Sequence, residues 1–448
     1  MQTLHEPSRT TPILAETDVL VLGGGPAGLA AAASAARAGC RTMLVERYGF
    51  LGGMGTAAGV TNFCGLHANV HGEIRRVVHG VADEILERIA ALDGLNEPHT
   101  IFGKTAAQAY DVAAYKCAAD DLLLAHRVEL LLHAVGVGVA MRDDATVDAL
   151  LVETKSGRAA IRARFFIDAS GDGDLAAWAG APWEKGDAHG NLLYPTLMFR
   201  VANVDNARAF DAAREIPERM AQAQQRGTYR FARQGAIVRP MKHKGEWRVN
   251  VTQIANADGR AMDGTDAAQL SAGELEGRRQ VREFFRFLRA EVPGFDVAYL
   301  LEIAPQVGIR ETRRVVGRYM LSADDVLGCA SFADTIGVNG WPLEQHVAGD
   351  VIWSWPPIPQ SRGFNHLPYR MLVPQRVANL LVAGRCASMT SPAQSAARVS
   401  GGCFVMGEAA GVAASLALEA GVAASEVDTA ALQSALEHHG AWLGRDVH

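Results

Sequence analysis

Two groups of residues in this chain are equipped for chemistry. The first is a set of glycines at 23, 24, 25 and 28, with Glu46 about twenty residues beyond. Gly23 permits a tight turn, Gly25 lets backbone approach a pyrophosphate, and Gly28 lets the following helix pack closely on its strand. Pro26 and Ala27 open that helix, whose free N–H groups and positive dipole end suit an anion. Glu46 can accept both ribose hydroxyls of an adenosine. The second group holds proton carriers and cations. His346 and His366, as imidazoles that ordinarily titrate near neutral pH, are the best general-base candidates, although a lone histidine is more often a hydrogen-bonded structural residue. Arg310 and Arg313 could clamp a carboxylate or phosphate, or form an exposed ion-paired face. Tyr369 and Arg370 follow Pro368 in a stretch poor in ordinary core residues, which suits a pocket.

The elements that must position these residues follow from the apolar pattern. Val19–Leu22 reads as a strand buried on both faces, Pro26–Ala38 as an alanine-rich helix stopped by Gly39, and Thr42–Val45 as the strand that delivers Glu46. The loop Arg47 to Thr56, with Gly52, Gly53 and Met54, is dense in glycine and suits contact with a flat ligand. Helices are expected over Glu73–Leu92 and Thr105–Ala125. Val128–His133, Val135–Met141, Val147–Thr154 and Ala159–Phe166 then read as a small antiparallel meander. It runs into Asp168-Ala169-Ser170-Gly171-Asp172, a second strand that stops at small residues. From Lys185 the pattern changes. Strands at Tyr194–Val201, Glu246–Ile254 and Val297–Ile303 with helices Ala207–Gln225 and Ser271–Glu291 suggest a mixed-sheet α+β domain. Asn379–Arg385 is a buried strand ending at Gly384, and Arg398–Leu418 a small-residue helix with Gly401, Gly402, Gly407 and Gly411. The expected fold is α/β, with a Rossmann-like domain over 1–184 and 371–448 and a substrate domain over 185–370.

Composition excludes several classes. The chain has 448 residues, 49% hydrophobic and 21% charged, with a formal net charge of -6 and no long basic run, so nucleic acid is not an expected partner. Met1–Thr17 is polar and no run of eighteen apolar residues occurs elsewhere, so a cytoplasmic protein without a membrane span is expected. Six cysteines lack CxxC spacing, which predicts neither a disulfide nor a metal site. After the glycine loop the only nearby cysteine is Cys64, so no redox disulfide is present to relay electrons. Gly136-Val137-Gly138 lacks the third glycine of a second dinucleotide motif. Cys64 reads as a small packing residue.

The motifs GGGPAG at 23–28, LGGMGT at 51–56, FIDASGDGDLAAWAGA at 166–181, GIRETRRVVGRY at 308–319, PYRMLVP at 368–374, NLLVAGRC at 379–386 and RVSGGCFVMGEAAGVAASLA at 398–417 occur in order. Together they resemble the FAD-dependent oxidoreductase family within the glutathione-reductase-like flavoprotein superfamily. The resemblance implies FAD, held non-covalently, with His67 and His71 not serving as attachment points. It places Glu46 on the adenosine ribose, Val135 beside adenine, and Gly52 to Thr56 on the flavin side. Ala169, Gly171 and Asp172 would close the pyrophosphate region, with Gly384 and Arg385 along the diphosphate and ribityl chain. Arg385 stands where the wider superfamily has an Asp. The helix beginning near Arg398, with Gly402, would point its N-terminus at the flavin C2 carbonyl.

The expected reaction is hydride transfer between a small organic substrate and flavin N5, with oxygen, a quinone, a protein or NAD(P) as the other partner in electron exchange. An FAD monooxygenase using transiently bound NAD(P)H and a flavin-free escort protein share the architecture. A homodimer is left open.

Overall fold

The computed structural model describes residues 4, 5 and 7–447; of the polar Met1–Thr17 stretch, residues 1–3 and 6 lie outside the described residues. Strand β1 (Ile13–Leu22) starts earlier than Val19, because its exposed first half still pairs with a neighbouring strand while its second half enters the core. Helix α1 (Pro26–Arg37) buries every residue from Ala27 to Ala35, which explains its all-round apolar composition. Strand β2 (Thr42–Val45) lies parallel to β1.

Two expected helices begin later than periodicity suggests. Glu73–Arg76 is a strand hairpinned to His67–Val70 through His71 and Gly72, both at positive φ as a type I′ turn requires. Helix α2 (Val81–Ala91) starts only after Gly80, at φ +68. Likewise Thr105–Ala109 is a strand, and Asp111 caps helix α3 (Val112–Ala125) by accepting from the Ala114 N–H at 3.0 Å.

Strand β3 (Glu129–Leu131) is not part of the meander; it joins the parallel sheet beyond β2. The meander is β4 (Val135–Asp143), β5 (Thr146–Thr154) and β6 (Gly157–Asp168), and β6 also runs parallel to β1 along its length. The second sheet contains β7 (Phe199–Ala202), β8 (Ile237–Pro240), β9 (Trp247–Asn250) and, after helix α4 (Ala267–Glu291), β10 (Tyr299–Ile303). Its order is β8-β9-β7-β10 and every pairing is antiparallel. Asp266 caps α4, whose Val281, Phe284, Phe287 and Leu288 pack under the sheet with Phe199 and Trp247. Strands β11 (Leu343–Val347) and β12 (Asp350–Ser354) make a hairpin.

Strand β13 (Leu380–Val382) returns to the first sheet and pairs in parallel with Phe166–Asp168 of β6. One edge of β6 is therefore shared, its first half taken by β5 and its last residues by β13. Helix α5 (Ser400–Ala420) then crosses α1. A Cβ on Gly407 would stand 2.1 Å from the Ala27 carbonyl oxygen and one on Gly411 2.3 Å from that of Ala31, so glycine is what allows this approach. By length and composition α5 could cross a membrane, yet it sits inside the fold, with 78% of its apolar window buried.

Two hydrophobic cores result. The first gathers the parallel sheet with α1, α2, α3 and α5, and it also takes Val315, Leu343, Phe364, Leu367 and Tyr369. The second runs from Leu197 to Ile309. Core membership thus returns the chain to the first unit well before the expected residue 371, because the segments after Val315 find their apolar partners there.

Candidate active site

One cavity of about 460 Å³ opens where β1, β6 and β13 end and continues to the second sheet. At its first end the glycine turn has the expected construction. Gly23 adopts φ +103, and a Cβ on Gly28 would sit 1.8 Å from the Gly23 carbonyl oxygen, so α1 can rest on β1 only with glycine there. Gly25 differs: a Cβ there would meet only Gly53 Cα, at 3.7 Å, leaving open space before the helix N-terminus. The Glu46 carboxylate accepts from the Gly24 N–H at 2.6 Å and the Tyr48 N–H at 3.0 Å, which fixes it at the cavity edge. The two glycine loops are tied together by the Gly52 N–H, which donates to the Gly24 carbonyl at 2.8 Å.

Gly23, Gly25, Pro26, Ala27, Glu46, Arg47, Gly53, Met54, Val135, Ala169, Gly171, Gly384, Arg385 and Arg398 all line this cavity. Gly28, Gly52, Thr56, Asp172 and Gly402 do not, and each has a shaping role instead. Thr56 donates to the Leu51 carbonyl at 2.6 Å, a Cβ on Gly52 would strike Thr56, and one on Gly402 would meet the Ala397 carbonyl oxygen at 2.3 Å. Asp172 holds Arg385 at 2.9 Å and accepts from the Thr312 hydroxyl at 2.8 Å. Arg385 therefore lies over Gly171 as a neutralised cation.

The proton carriers separate sharply. His366, Tyr369 and Arg370 are taken away from the cavity: His366 lies between the Phe332 N–H and the Gly444 carbonyl, the Tyr369 hydroxyl donates to the Ala424 carbonyl at 2.7 Å, and Arg370 pairs with Asp334 at 2.9 Å. Each is satisfied by the first core's own backbone or surface. Arg313 pairs with Asp174 and also lies outside the lining. His346 and Arg310 do face the cavity.

Arg310 is aimed by its neighbours. Thr312 bonds Asp172, Arg314 forms a buried pair with Glu311 and donates to the Met389 carbonyl, and Gly308 bridges to Thr196. These anchors leave Arg310 to donate to the Tyr194 carbonyl, with no carboxylate in ion-pair reach among the described residues. Burial, with Arg398 and Arg233 nearby, draws its guanidinium well below the usual value. His346 Nε2 stands 3.2 Å from Glu344 Oε1, and Trp341 Nε1 donates to Glu344 Oε2 at 2.9 Å. Burial and the Arg310 charge push His346 down to about 3, so it is a neutral imidazole. Burial works against the Glu344 charge, but His346 and Arg398 hold the carboxyl at about 2. The pair requires the proton on Nε2 and leaves the Nδ1 lone pair as the base.

The sequence marks Trp341 and Glu344 only as part of the stretch 341–346 that could meet a substrate, and it does not mark Arg248, Asn62, Tyr115 or Trp353; all six line the cavity. The one available signal was Arg248, a charge between Trp247 and Val249 in a strand buried on both faces.

The family model described as FAD dependent oxidoreductase matches residues 18–436. Among solved structures, a geranylgeranyl bacteriochlorophyll reductase-like protein from Thermoplasma acidophilum is 14% identical, with 95% of this chain and 83% of that chain covered and a TM-score of 0.47. A p-nitrophenol 4-monooxygenase from Pseudomonas putida is 13% identical, with coverage of 95% and 81% and a TM-score of 0.44. No curated protein matches the chain.

Proposed function

The chain belongs to the FAD dependent oxidoreductase family, and from that premise we propose that it oxidises a polar organic substrate at carbon, with FAD, when bound, supplying the two-electron acceptor. The residues present fit the cofactor. The space before Gly25 and the α1 N-terminus would take the pyrophosphate, Glu46 and Val135 the adenosine end, and Arg385 with Gly384 the ribityl chain that runs from the pyrophosphate to the ring system. Val399 and Ser400, at the start of α5, and Gly53 and Met54 would border the ring system. Arg398 Nε is buried there without a partner, as expected beside a polar ligand.

The chain's own chemistry is proton removal. His346 Nδ1 takes the hydroxyl or amine proton of the substrate as the carbon is oxidised. Glu344 holds the imidazole by Nε2 and stabilises the imidazolium that forms, and Trp341 keeps Glu344 in place. Arg310 supplies positive charge beside the substrate oxygen. In the free protein the same charge keeps His346 a weak base; an anionic substrate that offsets Arg310 and Arg398 raises its basicity when it binds.

The observation that carries this reading is the buried Glu344–His346 pair beside Arg310 in the cavity that also holds the glycine turns. The test is the visible spectrum of the purified protein under anaerobic conditions, with candidate substrates and then NADPH added singly. Flavin bands bleached by an organic substrate alone are expected, slowed about 10²- to 10⁴-fold in His346→Asn at equal flavin content. Bleaching only by NADPH, with a hydroxylated product, would replace this reading with a monooxygenase.

A further inference from the structure

Three arginines stand in register across the second sheet. Arg239 on β8 faces Arg248 on β9, and Arg248 faces Arg200 on β7. Directly opposed residues of antiparallel strands share a face, so like charges in such a row repel. Only one is neutralised: Arg200 pairs with Glu302 at 2.7 Å and lies within 3.6 Å of Asp111 and Glu246. For Arg239 and Arg248 no carboxylate comes within ion-pair reach among the described residues, and both line the cavity.

Arg248 is 5% exposed, so its charge has left water without a protein counter-ion. Its Nη1 donates to the Thr61 carbonyl at 3.3 Å, while its Nε is buried and unpartnered. The edge left over is Nε–Nη2, two parallel donors that match the two oxygens of a carboxylate. The Tyr115 hydroxyl, a donor on a residue that also lines the cavity, is likewise buried without a partner. Burial draws the guanidinium down to about 10, which still leaves it cationic at neutral pH. Trp341 and Trp353, with ring centroids 5.9 Å apart, and Phe102, 5.3 Å from Trp353, supply apolar faces nearby.

We propose that Arg248, with Arg239 opposite it, is the substrate's carboxylate-binding site, and that the substrate is an organic acid whose apolar body packs against Trp341, Trp353 and Phe102. This rests on the cavity being the FAD and substrate cavity. Arg248 thus fixes one end of the molecule while His346 and Arg310 meet the carbon that is oxidised.

The experiment uses FAD-loaded protein and reads the flavin difference spectrum on titration with phenylacetate and with uncharged phenylacetamide. Wild type should bind the acid on the order of tenfold or more tightly than the amide. Arg248→Met should lose that preference at unchanged flavin content. Arg248→Lys, which keeps the charge without the two-donor edge, should retain part of it. Because Arg248→Met removes an uncompensated buried charge, its ligand-free melting temperature should rise rather than fall. Equal affinity for acid and amide, no response to either, or a preference that survives Arg248→Met would overturn the inference while leaving the cavity assignment standing. A wild-type protein that takes up no FAD would overturn the cavity assignment and the inference with it.

Discussion

Gly25 and Gly28 sit three residues apart in one turn, and the structure gives them opposite roles. Gly25 has φ −75, open to any residue, and its added Cβ would make only an ordinary contact of 3.7 Å with Gly53 Cα. Gly25→Val should therefore cost the fold no more than about 1 kcal/mol, the scale of changing an N-cap residue. Its methyl groups would enter the space assigned to the pyrophosphate. Overpacking there costs about 1–3 kcal/mol, or roughly 5- to 150-fold in FAD affinity. Gly28→Ala does the reverse. Its Cβ would lie 1.8 Å from the Gly23 carbonyl oxygen, so α1 must lift off β1 whether or not FAD is present. The assay pairs FAD titration by flavin fluorescence with a thermal melt of the apoprotein. Gly25→Val should melt near wild type and bind FAD poorly, and Gly28→Ala should melt lower before any ligand is added. Wild-type FAD affinity in Gly25→Val, or a melt as low as that of Gly28→Ala, would refute the reasoning.

Glu408 on α5 is 2% exposed, and burial raises its carboxyl to about 7 from 4.5, with one oxygen accepting from the Val81 N–H. The folded state therefore holds the proton more tightly, and the stability this confers is full below about pH 4.5 and lost as pH rises through 7. Glu408→Gln should remove that dependence, so the stability difference between the two proteins should change by about 3 kcal/mol between pH 4 and pH 8 in denaturant titrations. A constant difference would show that Glu408 is not buried as described. His346 is already neutral in the free protein, so kcat/KM should show no base ionisation between pH 5 and 8; a limb near 6.5 would contradict the burial and arginine effects on it. Gly407→Val should lower the melting temperature, because its Cβ would meet the Ala27 carbonyl oxygen at 2.1 Å; an unchanged melt would mean that α1 and α5 are not in close contact.

What could be read from sequence was what is local. The turn from Gly23 to Gly28, the strand before it and Glu46 after it lie within one βαβ unit, so residue types and spacing carry them. Helix starts were misplaced where a cap or turn overrode the apolar period, at Gly80 and Asp111. The choice between His346 and His366 was not available in the same way. Both are buried histidines, and only the packing of the β11–β12 hairpin against the cavity, with Glu344 beside it, separates a cavity imidazole from one locked between the backbone of Phe332 and Gly444. Arg248 was missed because its meaning lies across strands: the row with Arg200 and Arg239 exists only once β7, β8 and β9 are in register.

The shared edge of β6 also dictates when this protein can finish folding. β6 ends at residue 168, but the strand that completes its edge is residues 380–382. At ordinary synthesis rates the ribosome needs on the order of ten to forty seconds to make the intervening chain. Through that interval Phe166 and Ile167 present unpaired backbone, and the alanine face of α1 waits for α5. The half of the molecule announced by the earliest motif is thus the last to close. A nascent chain stalled before residue 380 would carry an open sheet edge and bare helix, so expression that slows synthesis in this stretch should favour aggregation over soluble protein.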